Sequence, residues 1–234
     1  LSSVIDVRTN DGDMQKYHGT FSIGLLTSKI NLEGPIIKGK TSFNISARRS
    51  YLDLLAKPFM PDDEKYSYYF YDMNAKINHK FSDRSRMFLS AYHGKDHFAA
   101  DYDGNTDFKD GSNMGWGNTI VSARWNYIFN NRLFSNTTVS YNNYLFDVNA
   151  YTNNQYSTGA GAIILNRYSS NYHSGITDWS YQIDFDYNPT PAHHIKFGTG
   201  YLFHRFQPDV TTSVISDKTD NRIDRDTTYH NANQ

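Results

Sequence analysis

Cysteine is absent from the 234-residue chain, which excludes a disulfide framework, thiol chemistry and zinc–thiolate sites. No stretch approaches the roughly 18 consecutive apolar residues that a membrane helix needs. The formal net charge is −1, so no global field favours nucleic acid as a partner. Catalytic signatures are missing as well: there is no G-x-S-x-G, no H-E-x-x-H and no glycine-rich phosphate loop. We therefore do not expect an enzyme.

Aromatic residues are abundant, with 19 Tyr and 15 Phe in a chain whose mean hydropathy is only −0.68. They recur in alternating segments, of which "WSYQIDFDY" (179–187) is the clearest. Strict alternation places the large apolar side chains on one face of a strand and the polar ones on the other. Similar segments are "TSFNISARR" (41–49), "YDMNAKINHKF" (71–81), "NTIVSARWNYIF" (118–129) and "IKFGTGYLF" (195–203).

The connections between about nine such segments come in two lengths that alternate along the chain. Short ones fall at 36–40, 82–85, 130–132 and 188–194, and long ones at 51–67, 97–115, 149–176 and after Gln207. Aromatic residues also collect just before the short turns, as a membrane-interface girdle would. The pattern predicts an all-β, antiparallel, up-and-down transmembrane β-barrel, with short turns at one end and long outer loops at the other.

A soluble β-sandwich also alternates, with its apolar face packed on a core. Segments of about 10–14 residues, against a usual five or six, favour the membrane barrel. The concentration of aromatic residues at the segment ends favours it too. A soluble all-β carbohydrate-binding module and a passive porin remain as alternatives.

The stretches "LSSVIDVRTNDG", "HGTFSIGLLTSKINLEGPI" and "KGKTSFNISARRSYLDLL" resemble TonB-dependent outer-membrane receptors, particularly those of Bacteroidetes. The resemblance is good over residues 1–55, and "FLSAYHGKD" (88–96) is the most family-like later stretch. The family's barrel has about 22 strands around an N-terminal plug. By this resemblance residues 1–12 are the C-terminal end of the plug and residues 13–234 are the first part of the barrel. We therefore expect the chain to be a piece of a longer protein.

The resemblance implies a receptor in the bacterial outer membrane that takes up a scarce nutrient by energy-coupled displacement of the plug. The implied partners are outer-membrane lipid, TonB (through a segment outside this chain), the nutrient ligand and, in some members, a surface lipoprotein. Siderophores, haem, cobalamin, glycans and peptides all fit as nutrients. The sequence does not choose among them.

The resemblance implies ligand binding in the outer loops near 51–67, 97–115 and 149–176. In the run "DYDGNTDFKD", oxygen-bearing side chains at every second position suggest a calcium site, although the EF-hand spacing is not matched and a solvated acidic loop is the alternative. These calcium candidates are Asp101, Asp103, Asn105 and Asp107. The side chains expected to face the lumen are Arg48, Asn74, Lys76, Arg124, Gln182 and Asp184.

Overall fold

The computed structural model describes residues 9–105, 108–157, 163–218 and 221–230. They form one antiparallel sheet whose ten strands follow each other in chain order, so the all-β, up-and-down architecture is confirmed. The described residues contain one strand more than the nine or so expected. The strands are β1 (His18–Ile23), β2 (Thr27–Ile37), β3 (Thr41–Ser50), β4 (Glu64–Ser82), β5 (Ser85–Asn105), β6 (Phe108–Asn130), β7 (Leu133–Ser157), β8 (Ile163–Thr190), β9 (His193–Lys218) and β10 (Asn221–His230).

Helix is almost absent from the described residues. A short helix α1 (Leu52–Ala56) and a single 3-10 turn (Lys57–Phe59) connect β3 to β4. None of the helices in this part of the chain is long and apolar enough to cross a membrane. The described architecture is therefore a matter of strands, their register and their two faces.

Tight turns lie where the sequence predicted them. Two-residue loops connect β4 to β5, β6 to β7 and β8 to β9, and a register irregularity precedes each of these turns. At the β6–β7 turn the Asn130 side-chain oxygen accepts the backbone N–H groups of Arg132 and Leu133 at 2.9 and 3.1 Å. At the β2–β3 turn Gly39 adopts a φ of 73°, which a residue with a Cβ rarely adopts.

The expected long loops are largely wrong. Instead of a loop at 97–115, β5 runs to Asn105 and β6 begins at Phe108; instead of a loop at 149–176, β7 runs to Ser157 and β8 begins at Ile163. The tract after Gln207 continues β9 and adds β10, and the 51–67 loop is cut short because β4 begins at Glu64. Backbone pairing therefore extends far beyond the alternating segments, and β8 alone spans about 90 Å at 3.3 Å per residue.

The sheet has two faces, here named the Lys76 face and the Val139 face. Cross-strand partners project from the same face, so the register assigns the described side chains of the strands to one face or the other. The five large residues of 179–187 lie on the Val139 face, and the polar residues between them lie on the Lys76 face. Trp179, Tyr181 and Tyr187 are exposed, and Ile183 and Phe185 are half-buried.

The polarity of the two faces reverses partway along the strands. In the half next to the short turns, the Val139 face carries residues such as Leu32, Ile45, Ile77, Leu89, Val121, Trp179 and Phe203. We call this part the proximal half; it comprises 32–37 of β2, 41–45 of β3, 75–82 of β4, 85–91 of β5, 121–130 of β6, 133–141 of β7, 179–190 of β8 and 193–203 of β9. The rest of these strands is the distal half.

In the distal half the apolar side chains change sides. The Val139 face there is mainly polar, with His93, Thr119, Asn143, Thr177 and Arg205 joined in one cross-strand row. The Lys76 face becomes aromatic and aliphatic instead. It carries Phe70, Phe98, Met114, Trp116, Tyr144, Phe146, Val148, Tyr172, Ile176 and Phe206.

Candidate functional site

Residues 9–16, here called the docked segment, lie against the Lys76 face of the proximal half. Lys76 donates to the carbonyl of Thr9 at 3.0 Å and pairs with the Asp11 carboxylate at 2.5 Å. Ser42 donates to the Asp11 carbonyl at 2.8 Å. These contacts bury Lys76 to 8% exposure and Ser42 completely. A polar face thus becomes the protein interior wherever the segment covers it.

Gly12 makes the close approach of the docked segment possible. Its φ is 81°, and a Cβ at this position would lie 2.4 Å from the backbone oxygen of Phe43. No side chain fits at that distance, and the backbone conformation itself disfavours residues with a Cβ. The glycine therefore sets how closely the segment packs on β3.

Further hydrogen bonds hold the segment at both ends. Asn10 and Asn44 both donate to one oxygen of Glu33, at 2.7 and 3.2 Å, and the Gly39 N–H donates to the carbonyl of Met14 at 3.0 Å. Backbone N–H groups of Gln15 and Lys16 donate to Asp13 and lower the pKa of its carboxyl below the ordinary 3.8. This stabilising effect is present above pH 3.8 and is lost as the pH falls through the lowered pKa.

A chain of buried and part-buried hydrogen bonds connects the docked segment, through Ser42 of β3, to Arg86 of β5. Asn78, which is fully buried, donates to Ser42 at 3.4 Å and accepts from Arg86 Nε at 2.7 Å. Because buried polar groups are costly when unpaired, this chain of partners fixes the positions of all three side chains.

Three cations surround the ring of Phe88 on the same face. Their charged atoms lie 5.4 Å (Lys76), 5.1 Å (Arg86) and 4.5 Å (Arg124) from the ring centroid, within the range of cation–π attraction. Phe88 is the buried hydrophobic residue of the described chain, at 7% exposure. We call these four residues the Phe88 cluster.

The Phe88 cluster is not electrically balanced by the described residues. Asp11 pairs with Lys76, whereas Arg86 and Arg124 have no carboxylate within salt-bridge distance in the part of the chain that the structure describes. The Arg124 Nε is buried there without a hydrogen-bond acceptor. A buried donor of this kind is costly to leave unpaired, so the arrangement suits an acidic group brought by whatever covers this face.

All six residues predicted to face the lumen share the Lys76 face. Arg48 pairs with Asp72, Asn74 and Lys76 follow at alternate positions of β4, and Arg124 aligns through Thr138 with Gln182, two residues before Asp184. The structure brings Lys76 and Arg124 to one ring and keeps Gln182 and Asp184 apart from them, hydrogen-bonded to each other at 2.8 Å.

The calcium candidates are only partly described. Asp101 accepts the Tyr151 hydroxyl at 3.0 Å, and Asp103 pairs with Lys109 at 3.1 Å. Asp107 and the side chain of Asn105 lie outside the described residues, so the calcium site stays a prediction. Among the side chains that are described, no group of three or more His, Asp or Glu residues is placed to hold a metal ion.

Sequence reasoning missed the aromatic residues of the Lys76 face. Phe88 and Tyr92 interrupt the alternation of β5, and the structure shows why: both project from the polar face, Phe88 among the cations and Tyr92 beside Arg48 and Asp72. The sequence did contain a sign of this: in β5, large aromatic residues occupy positions at which the alternation predicts polar side chains.

Comparisons with known proteins provide no relative for this chain: no family model, no curated protein and no solved structure matches it.

Proposed function

We propose that this chain is part of a TonB-dependent outer-membrane receptor. Its proximal half crosses the membrane as part of a transmembrane barrel of about 22 strands, with the Val139 face toward lipid and the Lys76 face toward the lumen. The docked segment is the end of a plug domain, and TonB-driven displacement of that plug admits a scarce nutrient. The proposal extends the sequence resemblance; its support comes from the physical arrangement of the sheet.

The observation that carries the proposal is a burial pattern opposite to that of a soluble protein. On the covered face, Ser42, Asn44, Lys76 and Asn78 are buried, and on the other face an apolar surface stays open. Its members include Leu32 (48% exposed), Val121 (48%), Trp179 (53%) and Tyr201 (69%). A soluble sandwich would place its second layer on the apolar side. Lipid is the environment in which this face needs no protein cover.

The apolar surface also has the length of a transmembrane strand. From Trp179 to Tyr187 it extends about 26 Å along the strand at 3.3 Å per residue, and these nine residues lie within the roughly 9–11 that a strand tilted by about 45° needs to cross a membrane. Aromatic rings lie at both limits: Tyr141 and Trp179 are 4.7 Å apart at the upper one. At the lower one, successive ring centroids lie 4.8–6.4 Å apart in the series Tyr127, Phe129, Phe185 and Phe197.

The reversal of polarity above this band supports the same orientation. Outside a membrane the surface that faced lipid must face water, and the Val139 face becomes polar at one level across β5 to β9. A protein that is in water along its whole length has no reason to change sides at a common level. The distal half would then project beyond the outer surface.

Partners and ligand follow from the same proposal. The Phe88 cluster would receive acidic side chains of the plug, and outer-membrane lipid would cover the Val139 face. TonB would act through a segment outside this chain, with a surface lipoprotein as a further possible partner. The nutrient would bind above the plug, among the distal strands. Siderophore, haem, cobalamin, glycan and peptide all remain candidates.

The test uses the full-length gene in its host. Cells with and without the gene compete for growth on media that each limit one nutrient class, in backgrounds with and without functional TonB. We expect an advantage on one nutrient, only when TonB is present. An advantage independent of TonB would indicate a passive porin. A full-length product that is soluble and monodisperse without detergent would overturn the proposal altogether.

A further inference from the structure

A cavity of about 240 Å³ opens on the Lys76 face at the lower edge of the distal half. The side chains of the Lys76 face that line it are three charged groups and three aromatic rings: Arg48, Asp72, Asp96, Tyr68, Phe70 and Tyr92. Tyr71 and Lys95 also border the cavity, but they are cross-strand partners on the Val139 face, so their side chains project away from it. It lies beyond the docked segment and apart from the Phe88 cluster. None of the contacts described so far gives this cavity a role.

Among the side chains of the Lys76 face, the cavity has one negative charge in excess. Arg48 is committed to Asp72, whose Oδ2 accepts Arg48 Nη2 at 2.6 Å and Nε at 2.7 Å. The same guanidinium lies 5.0 Å from the centroid of the Phe70 ring. Asp96 receives only the Tyr68 hydroxyl, at 3.0 Å, and has no cation within salt-bridge distance among the described residues. Two carboxylates thus face one guanidinium.

Aromatic rings surround the uncompensated carboxylate. Phe70 and Trp116 are its direct cross-strand partners, and the Tyr68 ring lies 6.4 Å from that of Phe70. Burial and the hydrogen bond to Asp96 raise the pKa of Tyr68 above 10.0, so the phenol stays a neutral donor. Ring faces carry partial negative charge and attract cations. The rings and the carboxylate therefore both favour a cation as the ligand.

We propose that Asp96 and the rings beside it bind an organic cation, a primary ammonium or guanidinium group presented by a ligand or by a polypeptide. The carboxylate accepts its N–H donors while the rings contact its alkyl portion. The site gives the distal half a preference for positively charged groups. It does not depend on TonB coupling, so it stands or falls separately from the proposed transport function.

A bound metal ion fits the cavity less well. Calcium takes six to eight oxygen ligands, whereas one carboxylate oxygen of Asp72 is already held by Arg48. Aromatic rings supply no ligands for a hard cation. An ammonium or guanidinium group places its alkyl portion against the rings, whereas a hydrated ion makes no use of them.

The experiment titrates the full-length protein with n-butylammonium and follows saturation transfer by NMR. We expect binding with a dissociation constant in the range of about 1–10 mM, as suits a small cation. Asp96→Asn should weaken it at least about tenfold, or about 1.4 kcal/mol. The asparagine keeps an acceptor for Tyr68, so the local fold is preserved. Asp110→Asn, on the same face farther along β6, is the matched control and should leave binding unchanged.

A second probe keeps the test decisive even if a variant folds poorly. In the wild-type protein n-butanol, which has the same chain and no charge, should neither bind measurably nor displace n-butylammonium. Equal binding of the two probes would overturn the proposal. So would equal binding by wild type and Asp96→Asn, or no saturation transfer from n-butylammonium up to about 50 mM.

Discussion

The proximal and distal halves of the sheet are made of the same strands, but their apolar side chains lie on opposite faces. In the proximal half the docked segment covers part of the polar Lys76 face, and the apolar Val139 face is open. In the distal half most of the aromatic residues lie on the Lys76 face, and the Val139 face is mainly polar. The strands continue without interruption through the change. Continuous backbone pairing therefore does not require a continuous side-chain pattern. The polarity of the side chains changes along the strands, whereas the backbone hydrogen bonds between the strands stay the same.

Placing a charge on the Val139 face separates the two halves most strongly. Thr137→Arg, on this face of β7 opposite Ile183 at the centre of 179–187, should lower the free energy of unfolding in lipid vesicles by about 2–4 kcal/mol, the cost of a cation near the bilayer midplane. Asn149→Arg lies on the same face of β7 in the distal half and should change it by less than about 0.5 kcal/mol. Urea titration of full-length protein measures both. Equal losses would mean that the two halves share one environment.

The docked segment offers a second contrast, since it covers the Lys76 face only in the proximal half. Gly12→Ala should destabilise this region by about 2 kcal/mol or more, because it adds both a disfavoured φ and a clash with the Phe43 carbonyl.

Gly39→Ala is the control for the conformational part alone: its φ is 73°, and its nearest neighbour would be 3.9 Å away. It should cost about 1 kcal/mol. Protease cleavage within residues 9–16 reports the difference. Equal sensitivity of the two variants would show that the segment is not held against β3.

Removal of the buried cation gives the smallest of the three effects. Lys76→Ala deletes the partner of Asp11 and the donor to Thr9, and should loosen the segment by about 1–2 kcal/mol. Lys80→Ala removes an exposed pair with Asp83 on the same strand and should cost less than about 0.5 kcal/mol. Hydrogen exchange of the backbone amides of residues 10–16 distinguishes them. Unchanged protection in Lys76→Ala would contradict the assigned role.

Much of the proximal half was predictable from alternation because its apolar residues all face one side. The positions of the short turns and the shared face of Arg48, Lys76, Arg124 and Asp184 followed directly from a period of two. In the distal half the apolar residues move to the other register. Tracts such as 97–115, rich in Gly, Asn and Asp, therefore suggested loops, whereas the structure pairs them as strands.

The candidate site was predictable only in part. Alternation placed Lys76 and Arg124 on one face, but it identified neither Arg86 nor the ring that all three cations share, since that requires the cross-strand register. The contacts that Asp11 and Gly12 make with β3 span 30 residues or more of sequence, and no local pattern predicts them. The exceptions to alternation, Phe88 and Tyr92, were the most informative positions of β5.

The central claim is that the Val139 face contacts lipid in the proximal half and water in the distal half. Nitroxide labels at single cysteines along 179–187 of β8 and 143–151 of β7 test it directly, in full-length protein in vesicles and with any cysteine elsewhere replaced. The account predicts that odd positions in 179–187 are accessible to oxygen and shielded from a water-soluble nickel complex. Odd positions from 143 to 151 should be open to the nickel complex. Odd positions in 179–187 that are immobile and shielded from both reagents would show that these rings pack into a protein core, and would contradict the account.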